Sequence, residues 1–172
     1  MGDSLSAAHN LRSDQGWVAL ADAKSSRYRF HNASISGETS AGGRSRIAAE
    51  LARTRPDIVV IELGGNDGLR GLPLTQLGGN LGWMIGASKA AGARVLLAGL
   101  QLPPNFGPYA RDFHRTFRLI SERLDTGLIP HFLAPLGLER RWFQADNLHP
   151  TAAAQPLLAR QVLQALDALP AR

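Results

Sequence analysis

The sequence predicts an α/β domain built on a parallel sheet with helices on both faces. Three observations predict it. Four apolar runs of strand length, Tyr28–Ala33, Asp57–Leu63, Arg94–Leu100 and Leu128–Leu133, alternate with helical patterns. The second run reads Ile58-Val59-Val60-Ile61, β-branched throughout, as in a strand buried on both faces. No repeat, low-complexity tract or linker divides the 172 residues, a length suited to one domain spanning 1–172.

The helical patterns follow in order. Gly16–Ser25 carries Val18, Leu20 and Ala21. Ala41–Arg55 sets Ile47, Ala48 and Leu51 on one stripe and stops at Pro56, which has no N–H to continue a helix. Leu74–Ala91 ends before Gly92, a C-capping residue. Ala110–Thr126 spaces Phe113, Phe117, Ile120 and Leu124 by four, three and four, which puts them on one face. The last helix is expected from Pro150-Thr151 to about Leu169, with Pro156 either within its first turns or bending it.

Composition excludes several classes of function. Hydrophobic residues make up 44% and charged residues 19%, so the chain is globular and not disordered. It has no apolar run of 18 residues, so neither a transmembrane helix nor stable membrane insertion is expected. It has no cysteine, which removes disulfides, thiolate zinc sites and cysteine nucleophiles together. The net charge is +5, but the arginines are scattered in short pairs such as Arg44 and Arg46. With aromatics at 6%, this reads as a solvated arginine-rich surface and not as a nucleic-acid platform. P-loop, dinucleotide-fold, zincin, G-x-S-x-G and S-x-x-K motifs are all missing from the sequence.

On a parallel sheet, ligands bind beyond the carboxyl ends of the strands. Four segments there are rich in glycine and short polar residues, as an active-site rim requires. They are Ser34-Ile35-Ser36-Gly37, Gly64-Gly65-Asn66-Asp67, the Pro103–Gly107 loop, and Asp146-Asn147-Leu148-His149-Pro150. A further block, Gly2-Asp3-Ser4-Leu5, opens the chain. Each block alone reads equally well as turn chemistry: Gly-Asp-Ser as a tight turn, Asp146 as a helix cap beside a surface histidine.

Taken in order, the Gly2–Leu5, Asn32–Gly37, Gly64–Asp67 and Asp146–Pro150 blocks resemble those of the SGNH (GDSL) hydrolases. The resemblance is greatest to the bacterial thioesterase I, lysophospholipase L1 and arylesterase group, and it covers nearly the whole chain. It implies a three-layer α/β/α flavodoxin-like sandwich and a hydrolase of carboxylic esters or thioesters, on acyl, aryl, acyl-CoA or lysophospholipid substrates. It implies Ser4 as nucleophile, His149 as base and Asp146 as the group orienting it. The oxyanion donors it implies are the amides of Ser4 and Gly37 and the side chain of Asn66. No cofactor and no metal are expected, and Asp67 reads as a turn carboxylate. Glu62, which interrupts an apolar strand, is expected to be a hydrogen-bonded structural carboxylate. The loops corresponding to an acyl groove imply substrate contacts from Leu69, Leu72, Leu102, Phe106 and Tyr109. His9, His31, His114 and His131 read as surface or packed residues. Two alternatives stay open on the same scaffold, a carbohydrate O-acetylesterase and a catalytically impaired ligand-binding domain.

One departure from the family matters. Only three residues precede Ser4, where the family has a central strand of about five. The first strand is therefore expected to be missing or truncated, with Tyr28–Ala33 and Asp57–Leu63 facing each other across a gap. Any secretion signal would be lost with it, so the residues present are compatible with a bacterial periplasm or cytoplasm.

Overall fold

A computed structural model describes residues 1–170. The sheet holds three parallel strands, β1 (Ile58–Ile61), β2 (Arg94–Ala98) and β3 (Gly127–Ile129), in the order β1-β2-β3. β1 and β2 lie inside their predicted runs, whereas β3 starts at Gly127, one residue ahead of Leu128–Leu133, and is cut short by Pro130, which has no N–H for the ladder. The helices are α1 (Trp17–Lys24), α2 (Ser40–Thr54), α3 (Gly65–Leu69), α4 (Leu74–Ala90), α5 (Pro108–Leu124) and α6 (Gln155–Asp167). α2 packs on α4 and α4 on α5 over one face, while α1 packs on α6 over the other.

Local chemistry sets the helix ends. The Thr39 hydroxyl accepts from Gly42 N–H at the start of α2, and Arg55 closes that helix in the left-handed region before Pro56. α5 starts on Gly107-Pro108 and buries Phe113 and Phe117, whose rings meet edge to face at 5.2 Å. Pro156 falls in the first turn of α6, where a missing N–H breaks no helical bond. The core is apolar on both sides of the sheet, with Ile61, Leu63, Leu97, Met84, Phe117 and Val162 almost fully buried.

Two segments differ from expectation. Gly65–Leu69, read as a turn, is the one-turn helix α3. Tyr28–Ala33 is not a strand. Side chains take its backbone donors: Tyr28 N–H donates to Ser25 Oγ at 2.8 Å and Phe30 N–H to Asp22 Oδ1 at 2.8 Å. A strand needs a neighbour with which to exchange hydrogen bonds, and β propensity alone does not supply one. A cleft of about 460 Å³ separates this segment from β1, with Trp17, Ile47 and Leu51 among its walls.

The carboxyl end of β1 does have a neighbour. The Met1 amine donates to Val60 O at 3.0 Å, Glu62 N–H donates to Met1 O at 2.9 Å, and Ile35 N–H donates to Gly2 O at 3.0 Å. A Cβ on Gly2 would lie 2.8–2.9 Å from Ser6 Oγ, Glu62 Oε2 and Ser34 Oγ, so only glycine lets these segments converge. The chain thus leaves the sheet edge at Asp3 and turns straight into Ser4.

Candidate active site

The turn after Gly2 is built by Asp3. Its Oδ1 accepts from Leu5 N–H at 3.0 Å and its carbonyl from Ser6 and Ala7 N–H, which presents Ser4 at the end of the sheet. At the other end of the chain, Asp146 shapes a second turn. Its Oδ1 accepts from Leu148 N–H at 2.9 Å and His149 N–H at 3.0 Å, with Asn147 in the left-handed region between them. This leaves Oδ2 free to accept from the His149 ring.

The two turns meet. His149 Nδ1 lies 2.7 Å from Asp146 Oδ2, and His149 Nε2 lies 2.8 Å from Ser4 Oγ. Partial desolvation pushes the Asp146 carboxyl up. Hydrogen bonds from the His149 ring and from the His149 and Leu148 amides overcome this and hold it well below the usual carboxylate range. An ionised Asp146 selects the tautomer with the proton on Nδ1, so Nε2 is left to accept from the Ser4 hydroxyl.

Gly37 and Asn66 line the same pocket as Ser4 and His149. Gly37 lies in the left-handed region at φ 81°, in a loop fixed by Arg46, which binds the Glu38 carboxylate and donates to Ala33 O. Among the described residues, neither the Ser4 nor the Gly37 amide donates to a protein acceptor. Asn66 sits on α3, and its side-chain N–H groups donate to Asp3 Oδ2 at 3.1 Å and Glu38 O at 2.9 Å. Next to it, Asp67 accepts from Ser40 N–H at 2.8 Å and Ser40 Oγ at 2.5 Å, tying α3 to the start of α2.

Behind Ser4 lies a buried carboxyl pair. Burial pushes Asp3 up to about 6, against the hydrogen bonds from Leu5 and Asn66 and the charge of His149. Burial raises Glu62 well above the usual range, and the Asp3 charge raises it further. Glu62 Oε2 accepts from Ser6 Oγ at 2.7 Å and Asp3 N–H at 3.4 Å, while Oε1 has no hydrogen-bond partner among the described residues. A protonated Glu62 suits this site.

The pocket encloses about 240 Å³, and its apolar wall is made mainly of leucines: Leu5, Leu69, Leu100, Leu102, Leu133 and Leu148. Of the five residues read as substrate contacts, Leu69 and Leu102 line it. Leu72, Phe106 and Tyr109 do not. Tyr109 turns its hydroxyl to Leu72 O at 2.6 Å and stacks on Phe113, so it serves packing. Sequence reasoning missed Leu100, Leu133 and Leu148, which carry no pattern beyond an apolar residue near a strand end. It also read His9 as a surface or packing residue. His9 lies in the pocket with its ring against His149.

The sequence matches the family described as GDSL-like Lipase/Acylhydrolase over residues 1–156. It is 49% identical over 174 residues to Esterase TesA of Pseudomonas aeruginosa, covering 98% of this chain and 87% of that protein. It is 38% identical over 171 residues to Thioesterase 1/protease 1/lysophospholipase L1 of Escherichia coli K12, covering 98% and 82%. Among solved structures, the psychrotrophic esterase EstA from Pseudoalteromonas superposes with a TM-score of 0.92 at 40% identity, covering 97% of this chain and 94% of that one. The chain belongs to the GDSL-like lipase/acylhydrolase family and is an esterase.

Proposed function

We propose that the protein hydrolyses acyl or aryl carboxylic esters and thioesters through Ser4, His149 and Asp146. The observation that carries this reading is the unbroken line of contacts from Asp146 Oδ2 to His149 to Ser4 Oγ, at 2.7 and 2.8 Å. His149 Nε2 takes the hydroxyl proton as Ser4 Oγ bonds to the substrate carbonyl carbon. Asp146 stabilises the imidazolium. His149 then gives that proton to the departing alcohol or thiol as its bond to the acyl carbon breaks. Water repeats the sequence on the acyl-serine, releasing the acid and restoring Ser4.

The tetrahedral oxyanion is met by the Ser4 and Gly37 amides, which have no other protein acceptor among the described residues, and by Asn66. Both Asn66 N–H groups are engaged, so donation to the oxyanion means sharing or releasing one of them. The longer bond, to Asp3, is the one released. The leucine-walled pocket favours an acyl or aryl group over a sugar, which would need polar partners there.

The test is Ser4→Ala. Hydrolysis of p-nitrophenyl esters and covalent labelling by a fluorophosphonate are both expected to vanish, with the far-UV spectrum unchanged. Undiminished turnover, or labelling at another residue, refutes the triad. A chain-length series on the same esters separates the acyl reading from an O-acetylesterase, which would prefer acetate.

A further inference from the structure

His9 has no part in the reaction as derived above, yet its ring packs directly against that of the base. The two imidazole rings lie 4.2 Å apart, centroid to centroid, tilted by 34°. His31, His114 and His131 are elsewhere: His31 is beside Glu50, His114 Nδ1 faces Leu100 O at 3.3 Å, and His131 is half buried off the pocket.

The contact is built in. His9 belongs to the same turn as Ser4, and its N–H donates to Ser4 O at 3.4 Å. Its flanks, Ala8 and Asn10, both take the left-handed region at φ 56°, which fixes where the turn ends. Gln144 then fastens this turn to the loop carrying the base. Gln144 Nε2 donates to His9 O and to Pro150 O, both at 3.0 Å, and Gln144 N–H donates to His149 O at 2.8 Å. One residue, through its side chain and its backbone N–H, therefore holds both histidine backbones in register. From the oxyanion side, Ser36 Oγ lies 3.5 Å from His9 Nδ1.

We propose that His9 is a positioning residue for the base: its ring steadies the plane of His149, and its charge, once protonated, opposes a proton on His149. This rests on His149 being the base. Two cations at this separation repel, so protonating one ring disfavours protonating the other. The consequence has a definite sign. As pH falls, a charged His9 keeps His149 neutral, and the enzyme works further into acid than a triad with one histidine would.

Asp146 pairs with the His149 ring and favours its proton, and Asp3 beside Ser4 does so while it is ionised. Asp3, pushed up to about 6, changes charge in the same pH range, so the part played by His9 is read from variants that leave Asp3 unchanged. Arg70, which donates to Gly37 O at 3.4 Å, is charged at every relevant pH and adds no titration of its own.

The experiment is the pH dependence of kcat/KM for wild type, His9→Phe and His9→Lys. Phe keeps a ring against His149 without a charge. Its acid limb is expected to move to higher pH by on the order of half a unit. Lys keeps a charge at all pH, and its limb is expected to move to lower pH than that of the Phe variant. NMR titration of the ring C–H signals is expected to show a step in the His149 curve of wild type that is missing from the His9→Phe variant. Superimposable Phe and wild-type rate profiles, or identical His149 titration curves in the two proteins, overturn the proposal. Neither result touches the triad, which stands or falls on Ser4→Ala.

Discussion

Replacing Asn66 by alanine separates two roles that meet in one side chain. As an oxyanion donor it is used in the transition state. Removing such a donor costs about 2.7–4 kcal/mol, or 10²–10³ in kcat. As a structural group it holds two hydrogen bonds, to Asp3 at 3.1 Å and Glu38 at 2.9 Å. At about 1 kcal/mol each, their loss costs about 2 kcal/mol of stability. For a chain of this length that lowers Tm by about 4–8 °C. The catalytic loss exceeds the stability loss and falls on kcat with little change in KM. The assay is p-nitrophenyl ester kinetics at 25 °C beside a thermal melt of the same preparation. A kcat within threefold of wild type, alongside the Tm loss, would make Asn66 a structural residue only. A rise in KM with kcat intact would move it to substrate binding.

Asp146→Asn keeps the Oδ1 acceptor for the Leu148 and His149 amides, so the turn survives. The amide now presents N–H to His149 Nδ1 and selects the wrong tautomer. The expected result is a kcat loss of about 10⁴ with KM little changed, and a loss under tenfold would contradict the assignment. Glu62→Gln tests the buried carboxyl pair. Its folded pKa is raised, so Glu62 costs no stability below the unfolded value of 4.5 and a growing amount as pH rises above it. Glutamine removes that term, so Tm of the variant relative to wild type should improve between pH 5 and pH 8. Equal Tm slopes in the two proteins would show that Glu62 is not held protonated.

Much of the molecule was legible from local pattern. The β-branched run Ile58–Ile61 marked a strand, although only Val59 and Ile61 are fully buried, and Pro56 and Gly92 marked helix ends because each acts on its own backbone. Gly2-Asp3-Ser4-Leu5 and the Asp146–His149 pair gained meaning only from being read together with the other blocks, since each by itself is turn or cap chemistry.

Tertiary structure decided whatever depended on distant chain. Whether Ser4 reaches His149 is settled 145 residues away, by where two turns meet at the sheet end. Tyr28–Ala33 has strand composition and no strand pairing, because a ladder needs a partner and composition does not record one. Leu72 and Tyr109 were apolar residues in the right loops but do not line the pocket, and the Tyr109 hydroxyl is spent on Leu72 O. His9 was a histidine without a motif. Its place against His149 follows from Gln144 clasping two segments far apart in sequence, a contact that no local periodicity encodes. Short-range geometry is written residue by residue in the chain, whereas the meeting of remote segments is set by packing the whole core.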